Sequence, residues 1–174
     1  MKLLHSEIPE DGVRIAFRGE DAQWEGLKDF CLEAGPTGHL FVHRRGRDVF
    51  VEGEARATFS FECGRCLDRF RHPVVATVRQ ILCPRGSGRV EAKEIELKTE
   101  DLEYGTYDED SIPLEAVIEE HLLLALPMRP LCMEDCRGLC SQCGADWNQA
   151  TCACQESARK SPFDCLKEFV VQKR

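Results

Sequence analysis

The sequence predicts an α+β fold: a β-rich antiparallel body with a few helices and a small cysteine-rich, zinc-binding knot near the C-terminus. Three features predict it. The first 85 residues alternate apolar and polar side chains at the period of two that a half-buried strand requires. From Leu114 the apolar positions switch to helical spacing, and six of the eleven cysteines fall between Cys132 and Cys154.

Val13, Ile15 and Phe17 alternate with Arg14, Ala16 and Arg18, which predicts the first clear strand. Trp24 to Ala34 reads as a short helix closed by Gly35-Pro36. Leu40 to Val51 reads as two short strands around Arg44-Arg45-Gly46-Arg47. The next strand carries Ala55, Ala57, Phe59 and Phe61 on one face and Arg56, Thr58, Ser60 and Glu62 on the other. A further strand is expected from Val74 to Leu82, after Pro73, and then an exposed loop over 83–92, where Pro, Gly and Ser cluster.

Glu94 to Leu97 reads as a short strand and Tyr104 to Asp110 as an acidic turn. A helix follows, capped by Ser111 or Asp110, with Leu114, Val117, Ile118, Leu122 and Ala125 as its apolar stripe. Pro127 and Pro130 end it. Ser161 as cap and Pro162 at the first helical position start a last helix carrying Leu166, Phe169 and Val170. The expected organisation is a β-rich body over 1–126 ending in a helix, a cysteine-rich zinc-binding segment over 127–157 and a C-terminal helix over 158–174.

Composition narrows the function classes. The apolar run Leu122 to Leu126 stops at Pro127, far short of a membrane span, and the opening MKLLHSEIPEDG turns acidic before a signal-peptide core could form. A cytoplasmic location is therefore expected, with no membrane partner. The formal charge of −8 argues against a general nucleic-acid coat. That average hides a split. Residues 91–120 hold twelve acids against two lysines, whereas Arg44 to Arg85 hold nine arginines against five acids. Local binding to a polyanion is compatible with the second stretch.

The cysteines carry the most specific chemistry. Clustered thiols in a reducing compartment point to a metal, and zinc takes four of them as a tetrahedron. Cys140-Ser-Gln-Cys143-Gly144 is a turn that offers two ligands at once, and Cys152-Ala-Cys154 offers a second pair. Cys132 and Cys136 are additional ligands or alternatives to one of those pairs. The expected cofactor is structural zinc, although disulfides and an iron–sulfur cluster also use such spacing. Cys63-Gly64-Arg65-Cys66 forms a second pair, readable as a redox dithiol, an inert turn or half of a metal site shared with Cys132 and Cys136. Cys31, Cys83 and Cys165 are isolated and read as small buried hydrophobes.

Two stretches resemble the YceD family, also called large ribosomal RNA subunit accumulation proteins. One is Phe61-Glu62-Cys63-Gly64-Arg65-Cys66-Leu67. The other runs from Leu124-Ala125-Leu126-Pro127 through Cys132, Cys136, Gly138-Leu139-Cys140 and Cys143-Gly144 to Asn148, Cys152 and Cys154, with Pro162-Phe163 and Leu166 beyond. The resemblance implies a bacterial cytoplasmic protein, not an enzyme, needed for large-subunit ribosomal RNA to accumulate. Its partner would be that RNA or its precursor particle, reached directly or through a ribosomal protein, with no small-molecule substrate. Relatives without the six-cysteine segment imply that the zinc knot stabilises or docks.

If RNA is bound, Arg65, Arg69, Arg71 and His72, with Phe70 between them, are the candidate contacts, and Arg44, Arg45 and Arg47 could extend the patch. Two other function classes compete. One is a cytoplasmic dithiol oxidoreductase using Cys63 and Cys66; the other is a protein-binding adaptor acting through the acidic face. No Ser–His–Asp arrangement, P-loop or dinucleotide motif is present, and His121 on the apolar stripe reads as a satisfied boundary residue.

Overall fold

The computed structural model describes residues 1–86, 104–108 and 111–154. Short strands β1 (Leu3–Leu4) and β2 (Val13–Phe17) lead into three long ones, β3 (Leu32–Arg45), β4 (Asp48–Glu62) and β5 (Arg69–Pro84). Then come β6 (Tyr104–Tyr107), β7 (Ser111–Ile112) and helix α1 (Leu114–Leu124). The main sheet has the order β2-β3-β4-β5-β6, and β1 pairs separately with β7.

Strands β2 to β5 form an antiparallel meander, as the alternation predicts. The purely antiparallel expectation is corrected at the edge, because β6 joins β5 in parallel, Ile81 opposite Tyr104. That pairing needs a crossover rather than a hairpin, and the crossover residues 87–103 lie outside the described set, with the expected Glu94–Leu97 strand among them. Between β3 and β4 the loop is two residues, Gly46-Arg47, since Arg45 pairs with Asp48. Gly46 sits at φ +61°, the left-handed conformation that a tight hairpin demands at its first central residue.

One face of the sheet is buried. Leu40 and Val42, Val49, Val51 and Phe59, and Val74, Val78 and Leu82 all point to it. Helix α1 closes this face by packing on β5 and β4 through Leu114, Val117, Ile118 and Leu122. Among the described residues no helix is long and apolar enough to cross a membrane.

Several local expectations are corrected. Trp24 to Ala34 is not an α-helix: a short 3-10 segment (Glu25–Phe30) is followed at once by β3. Trp24 and Cys31 at its two ends have left-handed backbones, which break helical propagation; from this stretch Trp24 and Leu27 are buried in the core and Leu32 packs against it partly buried. Strand β5 starts at Arg69 rather than after Pro73, because ladder pairing to β4 outweighs the missing Pro73 amide. It also takes in Cys83 and Pro84 from the expected loop. Tyr104–Tyr107 is strand rather than turn.

The N-cap of α1 is Pro113 without a side-chain cap; Ser111 is occupied in β7, and Asp110 lies outside the described residues. Ala125 follows the helix and is exposed, not part of the stripe. Cys31 is exposed, while Cys83 is buried as expected. The last helix and Cys165 lie outside the described residues.

Candidate metal centres

The loop from β4 to β5 spans Cys63 to Asp68 and is cinched by its own backbone: the Cys63 amide donates to the Asp68 carbonyl at 2.9 Å, and the Leu67 amide to the Cys63 carbonyl at 3.0 Å. Leu67 takes a left-handed φ of +63° to close it. The chain leaving α1 lies against this loop, where the Gly64 amide donates to the Pro130 carbonyl at 2.9 Å. Cys63 and Cys66 therefore meet Cys132 and Cys136 from a segment almost seventy residues later.

The Cys63–Cys136 sulfurs are 3.7 Å apart and the Cys66–Cys132 sulfurs 3.6 Å, with all four within 4.8 Å of one another. A tetrahedral zinc with thiolates at about 2.3 Å places its sulfurs about 3.8 Å apart, so the four sulfurs fit one ion. Cys63, Cys66 and Cys136 are buried, with Phe70, Leu131 and Leu139 packed against them.

The second group is built from the knot alone. Cys140, Cys143, Cys152 and Cys154 also place all four sulfurs within 4.8 Å of one another. The Gly144 amide donates to the Cys140 carbonyl at 2.9 Å, and the Gln142 amide reaches the Cys140 sulfur at 3.5 Å. This is how a C-x-x-C-G turn aims two sulfurs inward. The Trp147 indole N–H donates to the Cys152 sulfur at 3.4 Å.

Six hydrogen bonds brace the first group and tie it to the second. The Leu139 amide donates to the Arg65 carbonyl at 3.3 Å, and the Trp147 amide to the Gly138 carbonyl at 2.9 Å. Arg65 Nη1 donates to the Cys136 carbonyl at 2.6 Å and the Glu134 carbonyl at 3.4 Å. Asn148 accepts from the Arg137 amide at 2.8 Å and donates Nδ2 to the Cys136 sulfur at 3.4 Å. Gly138 has φ +74°, and a Cβ there would sit 3.0 Å from the Arg65 carbonyl oxygen.

Each group contains one thiol held at about 6: Cys63, first through the Cys66 amide, and Cys140, first through the Cys143 amide. The opposite extreme is also present in each. Burial pushes Cys132 up to about 12, and the Cys143 sulfur beside it pushes Cys154 up to about 12. For Cys66 the Asp68 amide pulls down, but burial and the neighbouring Cys63 and Cys136 outweigh it and the net shift is upward. The pattern is that of crowded sulfurs: the first proton leaves easily, and further negative charge is opposed until a cation balances it.

The arginine patch divides. Arg65 is turned onto the knot carbonyls. Phe70 lies on the inner side against Phe61 and His72, with centroids 6.2 and 6.3 Å away. Arg69 and Arg71 are exposed on the outer side of β5, where Arg71 pairs with Glu33 at 2.9 Å. Arg44 bonds the Ile8 carbonyl through Nε. His121 sits between the Val117 carbonyl at 2.8 Å and the Arg79 amide at 3.4 Å, as a satisfied boundary residue should. Eight of the twelve acids of the segment 91–120 lie outside the described residues. Sequence reasoning missed the structural use of Arg65 and the Trp147 contact to Cys152. The proximity of each to a cysteine pair was the available signal.

A family model described as large ribosomal RNA subunit accumulation protein YceD matches residues 51–170. An uncharacterized protein of Mycobacterium tuberculosis (strain ATCC 25618 / H37Rv) is 35% identical over 121 residues, covering 68% of this chain and 56% of that protein. An uncharacterized protein of Mycobacterium leprae (strain TN) is 33% identical over 122 residues, covering 68% and 53%. The chain thus spans about half the length of the curated relatives it matches. No solved structure matches it.

Proposed function

We propose, from the premise that this chain belongs to the YceD family, that it is a non-enzymatic accessory factor for large-subunit ribosomal RNA accumulation and ribosome assembly, shaped by two structural zinc ions. One observation carries the reading: the matched residues 51–170 contain both cysteine groups, including the pair contributed by the sheet. The family resemblance and the metal geometry therefore concern the same part of the molecule.

Zinc is the ion that suits four thiolates in a compact tetrahedron. An iron–sulfur cluster, with several irons between its cysteines, would hold the four sulfurs farther apart than 4.8 Å. Closed four-sulfur sites leave no open coordination position, which favours a structural over a catalytic ion. The same setting favours a metal over dithiol exchange at Cys63 and Cys66. The zinc ions would fasten the segment after α1 onto the end of β4 and β5, fixing Arg65 and presenting Arg69 and Arg71 beside it. Cytoplasmic location and contact with the precursor particle belong to the proposal.

Sedimentation of the protein from gently lysed cells, with and without RNase, tests it. Co-migration with large-subunit precursors that RNase abolishes is the expected result. Migration only at the top of the gradient would overturn the reading.

A further inference from the structure

The outer face of the sheet carries a row of planar groups that the metal centres do not use. His43 on β3 stands opposite Phe50 on β4, their rings 4.8 Å apart and 8° from parallel. Phe41 continues the row, 5.5 Å from His43. The Arg45 guanidinium lies over Phe50, 5.6 Å from the ring centroid. Beside them opens a cavity of about 230 Å³, bordered by Glu52, Arg79 and Ile81 as well as His43, Arg45 and Phe50.

We infer that this face is a stacking platform for unpaired RNA bases, with Phe50 and His43 at its centre. The inference deepens the ribosomal RNA reading above and rests on it for the identity of the RNA. Cross-strand ring pairs alone would be explained by sheet stability. Two further observations are not. The ring nitrogen Nδ1 of His43 is buried without a hydrogen-bond partner among the described residues. The cavity beside it is smaller than the roughly 300–1,000 Å³ of drug-sized sites, which suits one base better than a whole cofactor.

Charge on this face is mixed: the outer positions of β2 to β5 present Arg14, Arg45, Arg56, Arg69, Arg71 and Arg79 beside Asp48, Glu52, Glu54 and Glu62, with Arg56 paired to Glu54 and Arg71 to Glu33. The cation that meets the ring row is Arg45, over Phe50. A base sliding onto Phe50 replaces the Arg45 guanidinium, a planar group of similar thickness. The released guanidinium can then pair with the adjoining phosphate. Glu52 and Arg79 stand opposite each other in the ladder at the border of this cavity. A duplex, with its bases stacked inside, cannot make these contacts.

The test is fluorescence anisotropy of the full, metal-loaded chain with a labelled, unstructured RNA of about twelve nucleotides, and with the same sequence as a duplex. Wild type should prefer the single strand. Phe50→Leu with Phe41→Leu, which keeps apolar volume, should weaken single-strand binding about ten-fold or more. Equal binding by wild type and variant, or none by wild type, overturns the inference. If the variant does not fold, 4-thiouridine crosslinking on wild type decides. Adducts within residues 41–52 support the platform, and adducts only elsewhere overturn it. Particle sedimentation separates the two claims. Single-strand binding without particle association sinks the ribosomal reading alone, and particle association with unchanged variant binding sinks the platform alone.

Discussion

The Asn148 amide of the second cysteine group donates a hydrogen bond to the Cys136 sulfur of the first, at 3.4 Å. Its carbonyl oxygen meanwhile accepts from the Arg137 amide at 2.8 Å, and Asp146 steadies the side chain at 2.7 Å. An N–H aimed at a thiolate lowers the charge that a bound cation must balance, and it fixes the sulfur's direction. The second group therefore supports the first.

Asn148→Asp should be the sharpest probe of this contact. A carboxylate would face the Cys136 sulfur in place of a donor, so metal affinity at the Cys63–Cys66–Cys132–Cys136 site should fall about 10- to 100-fold. Competition against a chromophoric chelator reads it. Unchanged affinity at that site would show that the amide is ornamental.

Single cysteine changes should separate the sites by stoichiometry. Cys66→Ser is expected to remove the ion shared with the sheet while leaving the other, because Cys140, Cys143, Cys152 and Cys154 all come from the knot. Cys143→Ser is expected to remove its own ion and, through Asn148 and Trp147, to loosen the first. Native mass spectrometry of both variants distinguishes this directional coupling from two independent sites.

Proton release on metal binding carries a pH signature. Cys63 and Cys140 are held at about 6, so above that pH each group already contains one thiolate. Binding should then displace fewer than four protons per ion, rising towards four as pH falls below about 6. Because protons compete with the metal, affinity should decline most steeply on that acid side. Calorimetry in buffers of different ionisation enthalpy gives the count, and a constant four protons at pH 7.5 would contradict it.

Arg65 is expected to matter to folding. Its guanidinium holds the Cys136 and Glu134 carbonyls, so Arg65→Ala should destabilise the protein by about 1.5–3 kcal/mol, the worth of a charged hydrogen bond. Gly138→Ala should also destabilise, by about 1–2 kcal/mol, because of its left-handed backbone. Chemical denaturation with the metal in place measures both.

The meander was legible because period-two alternation survives wherever one face is buried, as in Ala55, Ala57 and Phe59. The 3-10 segment after Trp24 was not, because its apolar spacing mimics a helix while the left-handed Trp24 and Cys31 residues carry no sequence mark. The parallel β5–β6 pairing is a long-range choice that no local pattern encodes. Likewise, spacing offers Cys140 with Cys143 and Cys152 with Cys154 as ligand pairs, but the choice of four among the six clustered cysteines is made by the fold. The meeting of Cys63 and Cys66 with Cys132 and Cys136 depends on where α1 delivers the chain. The ring row of Phe41, His43 and Phe50 was hidden for the same reason: one of its three rings, Phe50, comes from the neighbouring strand.

The most direct test of the two-centre account is the metal content of tag-free protein purified under reducing conditions, by native mass spectrometry with elemental analysis. The account predicts two zinc ions per chain, both lost on denaturing release and both restored on refolding with zinc. One ion or none, or iron with sulfide in place of zinc, would contradict it.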